Sequence, residues 1–261
     1  MLALHRPLLI FGWVTLVSLL LNTLPDLWAG WPPDPCRATD CFCEPFQNRL
    51  VRQPLAAYSN LAYVLVGVFV LASRPTAPSP GNALCAQPAY SILYGAMTIG
   101  IGAGSFFYHA SLTRVGEWFD LMGMYALTAF LLLYNLTRLL ALTRWVFVTL
   151  YLVLLLALGL GLIWANALQQ VYMAALVVGA LVLEGLVLAK RHAQIEWRYR
   201  AGGVACFGLG ALFWATSAPG ELCGRLGPIP PHVLWHSLSA IAVGLLYLYY
   251  RSEAGRLETG D

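Results

Sequence analysis

The sequence contains few charged residues. Only 10% of its 261 residues are Asp, Glu, Lys or Arg, against about 25% in an average soluble domain, and Lys190 is the only lysine. Hydrophobic residues make up 59% of the chain, which is more than a soluble fold of this length buries. The net charge of +3 is too small to indicate a nucleic-acid-binding protein. This composition excludes most soluble enzymes and predicts a polytopic membrane protein.

Apolar runs that are long enough to cross a bilayer recur along the chain. A crossing helix needs about 20 mainly apolar residues, and backbone groups in lipid must pair within the segment, so the spans are predicted to be helices. Eight runs lie approximately at residues 7–25, 54–73, 88–110, 117–137, 144–165, 168–189, 201–217 and 232–250. The predicted fold is therefore all-α, a polytopic membrane helix bundle.

The first run has two interpretations. Arg6 followed by an apolar stretch is typical of a signal peptide, but residues 22–29 lack a small-residue cleavage site. We therefore predict an N-terminal transmembrane anchor over residues 1–30, with a signal sequence as the alternative. A loop with a cysteine and acidic motif follows at 31–53, then a seven-helix core at 54–250 and a tail at 251–261.

The distribution of cations predicts the orientation of the bundle. With the N-terminus in the cytoplasm, ten of the 15 Lys and Arg residues fall in inside segments, which is the bias expected of membrane proteins. Both termini are then cytoplasmic. Compact loops and an arginine-rich composition favour a bacterial inner membrane.

This orientation places four of the six cysteines outside, namely Cys36, Cys41, Cys43 and Cys223. The outer side is oxidising, so one or two disulfides are expected there, and four cysteines allow three pairings. A metal cluster of Cys36, Cys41 and Cys43 is the competing interpretation, although a second Cys-x-x-Cys motif is missing.

Ionisable residues inside membrane spans indicate functional sites. His232 and His236 are four residues apart on a predicted helix, so both imidazoles lie on one face. Ser105 and His109 share the same spacing. The alternative is structural: two interfacial histidines, and a serine that bonds its own backbone.

The predicted topology brings these groups to the outer side of the membrane, periplasmic or lumenal. His109 ends the third span, Asp120 lies early in the fourth, and the His232–His236 pair begins the eighth. Three histidines and a water form the ligand set of a catalytic zinc site. Asp120 could accept the proton of that water, and Ser105 could donate a hydrogen bond to an oxyanion. This set indicates hydrolysis of an amide or ester in a lipid.

These residues also resemble a known family. The stretch Ser-Phe-Phe-Tyr-His at 105–109, Asp120, and His232-x-x-Trp235-His236 resemble the motifs of the alkaline ceramidases. That family belongs to a group of seven-helix membrane hydrolases that includes the progestin and adipoQ receptors and haemolysin III-like proteins. Upstream, Cys43-Glu44, Gln53-Pro54 and Ser59-Asn60 resemble its N-terminal motif. The resemblance extends from about residue 43 to residue 250, so the first span is an addition to the seven-helix core.

The resemblance implies roles for particular residues. It implies zinc bound by His109, His232 and His236, with Ser105 and Asp120 as the remaining catalytic groups. It also implies a disulfide between Cys43 and Cys223. Animal members bind calcium, which would here involve Asp40, Glu44 and Asn48, although Gln53 stands where a further acidic ligand is expected. The residues after Asp120 lack the Glu and Pro of the family, which indicates a distant relative.

The sequence therefore predicts a zinc-dependent intramembrane hydrolase that cleaves the amide bond of ceramide or a related lipid. A lipid receptor or sensor of the same group, without significant turnover, is the main alternative. A transporter or redox protein would need further ionisable residues across the membrane, and the spans contain few.

Overall fold

The computed structural model describes residues 16–17, 20–38, 41–75, 82–191, 195–217, 223–225, 227 and 229–253. These residues form nine α-helices and, within the described ranges, no strand. The helices are α1 Pro54–Ser59, α2 Leu61–Ala72, α3 Ala83–Ala86, α4 Pro88–Ser111, α5 Arg114–Leu140, α6 Arg144–Trp164, α7 Gln169–Arg191, α8 Trp197–Ala215 and α9 Pro231–Arg251. The all-α prediction is thereby confirmed.

Six helical segments of the described chain are long and apolar enough to cross a membrane. They are Pro54–Ala72, Pro88–Ser111, Arg114–Leu140, Arg144–Trp164, Asn166–Lys190 and Pro231–Arg251. Helix α8 has 19 residues but is not among the six, because its first turn carries Arg198 and Arg200. Most of the predicted first span, 7–25, lies outside the described residues.

The connection between α4 and α5 is only two residues long. Leu112 has a left-handed backbone (φ 43°) and ends α4, and the side chain of Thr113 accepts a hydrogen bond from the Gly116 amide to cap α5. The end of α4 and the start of α5 are therefore fixed side by side at one end of the bundle.

Glycines allow α4 and α5 to cross closely below this connection. A Cβ on Gly104 would lie 2.5 Å from the Phe119 carbonyl oxygen, and one on Gly123 would lie 2.9 Å from the Cα of Ile101. No larger residue fits at either position without separating the backbones. The crossing brings Ser105, next to Gly104, close to the stretch of α5 that contains Asp120.

Helix α9, at the end of the predicted core, packs against α1 and α2 at its beginning. It starts at Pro231, where a fixed φ suits the first helical position, and packs against α8, α2 and α1. Helix α5 packs against α4, α6 and α7. His232 and His236 lie in the first turns of α9, which pack near α1.

The segment before α1 is held across the end of α4. The buried guanidinium of Arg52 donates to the Ser111 carbonyl and forms a salt bridge of 2.7 Å with Asp26. The Asp34 amide donates to the Leu112 carbonyl at 3.0 Å. This segment therefore forms a cap over the ends of α4 and α5.

A buried ionic network occupies the opposite end of the bundle. Arg138 pairs with Glu184 and, at 3.0 Å, with Glu253, and the Tyr249 hydroxyl donates to Glu184 at 2.6 Å. Glu184 is therefore a buried partner of Arg138. The first residues of the predicted tail 251–261 pack into the core through Glu253, and residues 254–261 lie outside the described ranges.

Candidate metal centre

Three buried histidines converge at the capped end of the bundle. One ring nitrogen each from His109, His232 and His236 lies within 4.8 Å of the others. The ring centroids are 5.0 Å apart for His109 and His232, 5.1 Å for His109 and His236, and 4.4 Å for His232 and His236. Among the described residues, no second group of three His, Cys, Asp or Glu side chains converges in this way. Helices α4 and α9 supply the three side chains.

The protonation of His236 follows from its contact with α1. Its Nδ1 lies 2.7 Å from the Ser59 hydroxyl, which itself donates to the Ala56 carbonyl at 2.7 Å. A hydroxyl has one proton, so Ser59 accepts the hydrogen bond from Nδ1–H of His236. The Nε2 of His236 then keeps its lone pair.

The protonation of His109 follows in the same way from Gln53. The Gln53 Nε2 contacts the carbonyl oxygens of Cys41 at 2.8 Å and Glu44 at 3.0 Å. Carbonyl oxygens only accept, so this atom is the amide nitrogen. The Gln53 Oε1 therefore faces Nδ1 of His109 at 2.8 Å, and Nδ1 carries the proton. The Nε2 of His109 also keeps its lone pair.

His232 is held differently. Its Nδ1 is buried and has no hydrogen-bond partner among the described residues, and the ring of Phe42 stacks on its imidazole with 4.0 Å between centroids. A buried ring nitrogen without a hydrogen-bond partner is unusual. A bound ion or a water molecule at the centre would supply the missing contact. Histidines that bind a metal through one ring nitrogen commonly donate the N–H of the other nitrogen to the protein. His109 and His236 both show this arrangement, and the group of three imidazoles therefore fits a metal ion.

Ser105 and Asp120 meet on the neighbouring face of the α4–α5 crossing. A Cβ on Gly104 would lie 3.3 Å from the Asp120 backbone nitrogen, so Ser105 and Asp120 lie on closely packed parts of α4 and α5. Ser105 also precedes His109 by four residues, so both side chains lie on the same face of α4. Asp120 is not part of the group of ligand atoms within 4.8 Å. The three predicted ligands and the predicted Ser–Asp pair are thus separate groups, each of which includes one residue of α4.

Two disulfides hold the chain next to the histidines. They join Cys36 to Cys41 and Cys43 to Cys223, and the second is the pairing that the ceramidase resemblance implies. The metal cluster of Cys36, Cys41 and Cys43 is excluded, because all three thiols are oxidised. Phe42 lies between the disulfides with a left-handed backbone (φ 68°), a conformation that costs energy in a non-glycine residue.

The three residues proposed for calcium do not form a described site. Asp40 lies outside the described residues, and Asn48 is exposed. The Glu44 carboxylate accepts hydrogen bonds from the amides of Leu55 at 2.7 Å and Ala56 at 2.8 Å and so caps the N-terminus of α1. Burial raises the pKa of Glu44 despite these two hydrogen bonds, which lower it.

Three residues of the centre have roles that the sequence did not indicate. Gln53 and Ser59 belong to the N-terminal motif, but their contacts with His109 and His236 depend on how distant segments pack. Phe42 had no distinguishing signal beyond its place between two cysteines.

No protein-family model matches this chain, and no curated protein matches it either. The fold and the site define a helical, multi-pass membrane protein with a three-histidine group that could bind a metal ion.

Proposed function

We propose that this protein is a zinc-dependent intramembrane hydrolase that cleaves the amide bond of ceramide or a related lipid. The observation that carries the proposal is the group of three buried imidazoles, two of which have Nδ1 fixed by Gln53 and Ser59 so that Nε2 is available as a ligand. Three histidines with a remaining open position are the ligand set of catalytic zinc.

His109, His232 and His236 would hold the ion. Zinc bound there lowers the pKa of a water molecule and polarises a carbonyl group. Cysteine thiolates would not coordinate the ion, because the nearby cysteines are all disulfide-bonded, namely Cys36, Cys41, Cys43 and Cys223.

Asp120 carries out the proton transfers, and Ser105 stabilises the oxyanion. Asp120 accepts a proton from the attacking water and delivers it to the nitrogen of the leaving amine, so that amide and water give a carboxylic acid and an amine. The Ser105 hydroxyl donates a hydrogen bond to the oxyanion that forms from the amide carbonyl.

The environment of the centre supports a lipid substrate. Helices α4 and α9, which carry the ligands, are candidate membrane spans, and a substrate that is itself a membrane lipid suits a site in such helices. The two disulfides beside the centre also support an outer, oxidising location for this end of the bundle, and therefore cytoplasmic termini.

Metal content tests the first part of the proposal. Wild-type protein purified in detergent is expected to contain about one zinc per chain by mass spectrometry, and the His232→Ala/His236→Ala variant to contain none. A His192→Ala variant, which leaves the three-histidine group intact, serves as the control. Wild-type protein without zinc would remove the proposed mechanism.

Turnover tests the second part. Asp120→Asn is expected to keep zinc and the wild-type unfolding midpoint while losing about 100-fold or more of its hydrolysis of ceramide in mixed micelles. Zinc-loaded wild type that cleaves no lipid amide would instead indicate the receptor or sensor alternative. Normal activity in Asp120→Asn would contradict the role of this carboxylate.

A further inference from the structure

Every polar atom of the Gln53 side chain is engaged at the centre. The side chain is fully buried; its Nε2 donates to the carbonyls of Cys41 and Glu44, and its Oε1 accepts from Nδ1 of His109. The Gln53 backbone amide donates to the His109 carbonyl at 3.0 Å. Gln53 therefore links the turn at residues 41–44 directly to one of the three histidines.

The two carbonyls that Gln53 contacts are of the kind that bind calcium. Backbone carbonyls and carboxylates are the usual oxygen ligands of that ion. Here an uncharged N–H₂ group lies between the carbonyls of Cys41 and Glu44, and its protons point at their oxygens. Both carboxylate oxygens of Glu44 are used by the amides of Leu55 and Ala56. These residues do not fit a calcium ion.

We infer that the Gln53 carboxamide takes the place of a cation: it joins the 41–44 turn to His109 and makes the metal centre independent of calcium. Gln53 is a positioning residue, since it acts through the tautomer and orientation of His109. The inference rests on the metal binding of the proposed function, and it does not depend on hydrolysis.

Replacing Gln53 by glutamate removes the N–H donor that holds the 41–44 turn and puts a negative charge in its place. A carboxylate has the same shape but no N–H donor, so its second oxygen would face the two carbonyl oxygens of the 41–44 turn. That repulsion is relieved when a cation binds between the carboxylate and the two carbonyls. Gln53→Glu should therefore create the calcium requirement that the wild-type protein lacks.

The test compares wild type, Gln53→Glu and Gln47→Glu. Gln47 is an exposed residue of the same segment, so its substitution is a control for the added charge. Buffers are freed of calcium with a chelating resin, and calcium chloride is then added at millimolar concentration, with magnesium chloride as the ionic control. Three quantities are measured: calcium bound per chain by equilibrium dialysis, zinc affinity by competition with a chromogenic chelator, and the unfolding midpoint.

Wild type and Gln47→Glu should bind no calcium and should show the same zinc affinity and midpoint with or without it. Gln53→Glu should lose about 10- to 100-fold in zinc affinity without calcium, bind about one calcium, and regain most of the loss. Wild type that binds calcium or gains zinc affinity from it would overturn the inference. So would Gln53→Glu with wild-type zinc affinity in calcium-free buffer.

Two further outcomes are distinguishable. If Gln53→Glu does not fold, calcium binding and the calcium response of wild type still test whether the metal centre is independent of calcium. If wild type binds no zinc, the proposed function fails, whereas calcium dialysis and the unfolding midpoint still test the inference.

Discussion

The Nδ1 of His236 lies 2.7 Å from the hydroxyl of Ser59, although 177 residues separate the two in sequence. This hydrogen bond joins α9, the last described helix, to α1, the first. It fixes the tautomer of the imidazole, so that Nε2 keeps the lone pair that a metal ion needs. The orientation of a candidate ligand in one helix is therefore set by a short helix at the other end of the core sequence.

Ser59→Ala should weaken metal binding without unfolding the bundle. Without the hydroxyl, the His236 ring keeps only its contact with the Ala56 carbonyl, so the ring is less firmly held and the wrong tautomer becomes accessible. We expect a loss of about 10-fold or more in zinc affinity, measured by chelator competition. Ser237→Ala is the matched control, because the Ser237 hydroxyl donates only within α9, to Val233 at 3.0 Å. Equal zinc affinities in the two variants would contradict the role given to Ser59.

Phe42→Ala should speed the loss of metal from the centre. The Phe42 ring is stacked on His232 and meets His109 edge-on at 5.2 Å, so it covers two of the three ligands. We expect zinc to transfer to an excess of chelator about 10-fold faster than in wild type, since removing a stacked aromatic ring costs about 1 kcal/mol or more. Phe69→Ala, at a ring that is 47% exposed on α2, should transfer zinc at the wild-type rate. An unchanged rate in Phe42→Ala would show that the ring does not control access.

The parts of the centre that follow from local spacing could be predicted from the sequence. His232 and His236 share a helix face because they are four residues apart, and the short connection at Leu112 brings α4 and α5 together as the span pattern implies. The spacing also grouped Ser105 with His109.

The contacts that join distant segments could not be predicted. Gln53 stands where the ceramidase resemblance expects a further acidic calcium ligand, and the sequence does not show that two carbonyls face its amide nitrogen. Arg138 and its partner Glu253 are 115 residues apart in the sequence. Both side chains of this ion pair are buried. The hydropathy of the sequence contains no signal for a pairing between residues so far apart.

Glu253→Ala should destabilise the bundle far more than Glu196→Ala. Removing Glu253 leaves Arg138, which is 1% exposed, with Glu184 alone, and losing a buried hydrogen bond between charged groups costs about 1.5–3 kcal/mol. The Glu196–Arg198 pair has side chains that are 55% and 67% exposed, so its loss should change stability by less than about 1 kcal/mol. Thermal unfolding in detergent, followed by tryptophan fluorescence, measures both. Similar midpoints in the two variants would mean that the network at Arg138 does not stabilise the fold.

Asp26 should make the stability of the cap depend on pH. Its burial acts to raise the pKa, but hydrogen bonds from Arg52 and from the Trp28 amide outweigh burial and leave the pKa below its ordinary value. A carboxyl with a lowered folded-state pKa stabilises the fold above its unfolded-state value of about 4 and loses that contribution as the pH falls through the folded-state pKa.

Asp26→Asn should therefore lower the free energy of unfolding by about 1 kcal/mol or more at neutral pH, because the buried Arg52 loses its counter-charge. The difference from wild type should shrink as the pH is lowered below about 4, where the wild-type carboxyl becomes protonated. Unfolding midpoints recorded between neutral pH and pH 3 measure this difference, with Glu196→Gln as a control for loss of a carboxylate at an exposed site. A difference between Asp26→Asn and wild type that stays constant down to the lowest pH would show that the charge of Asp26 does not hold Arg52 in place.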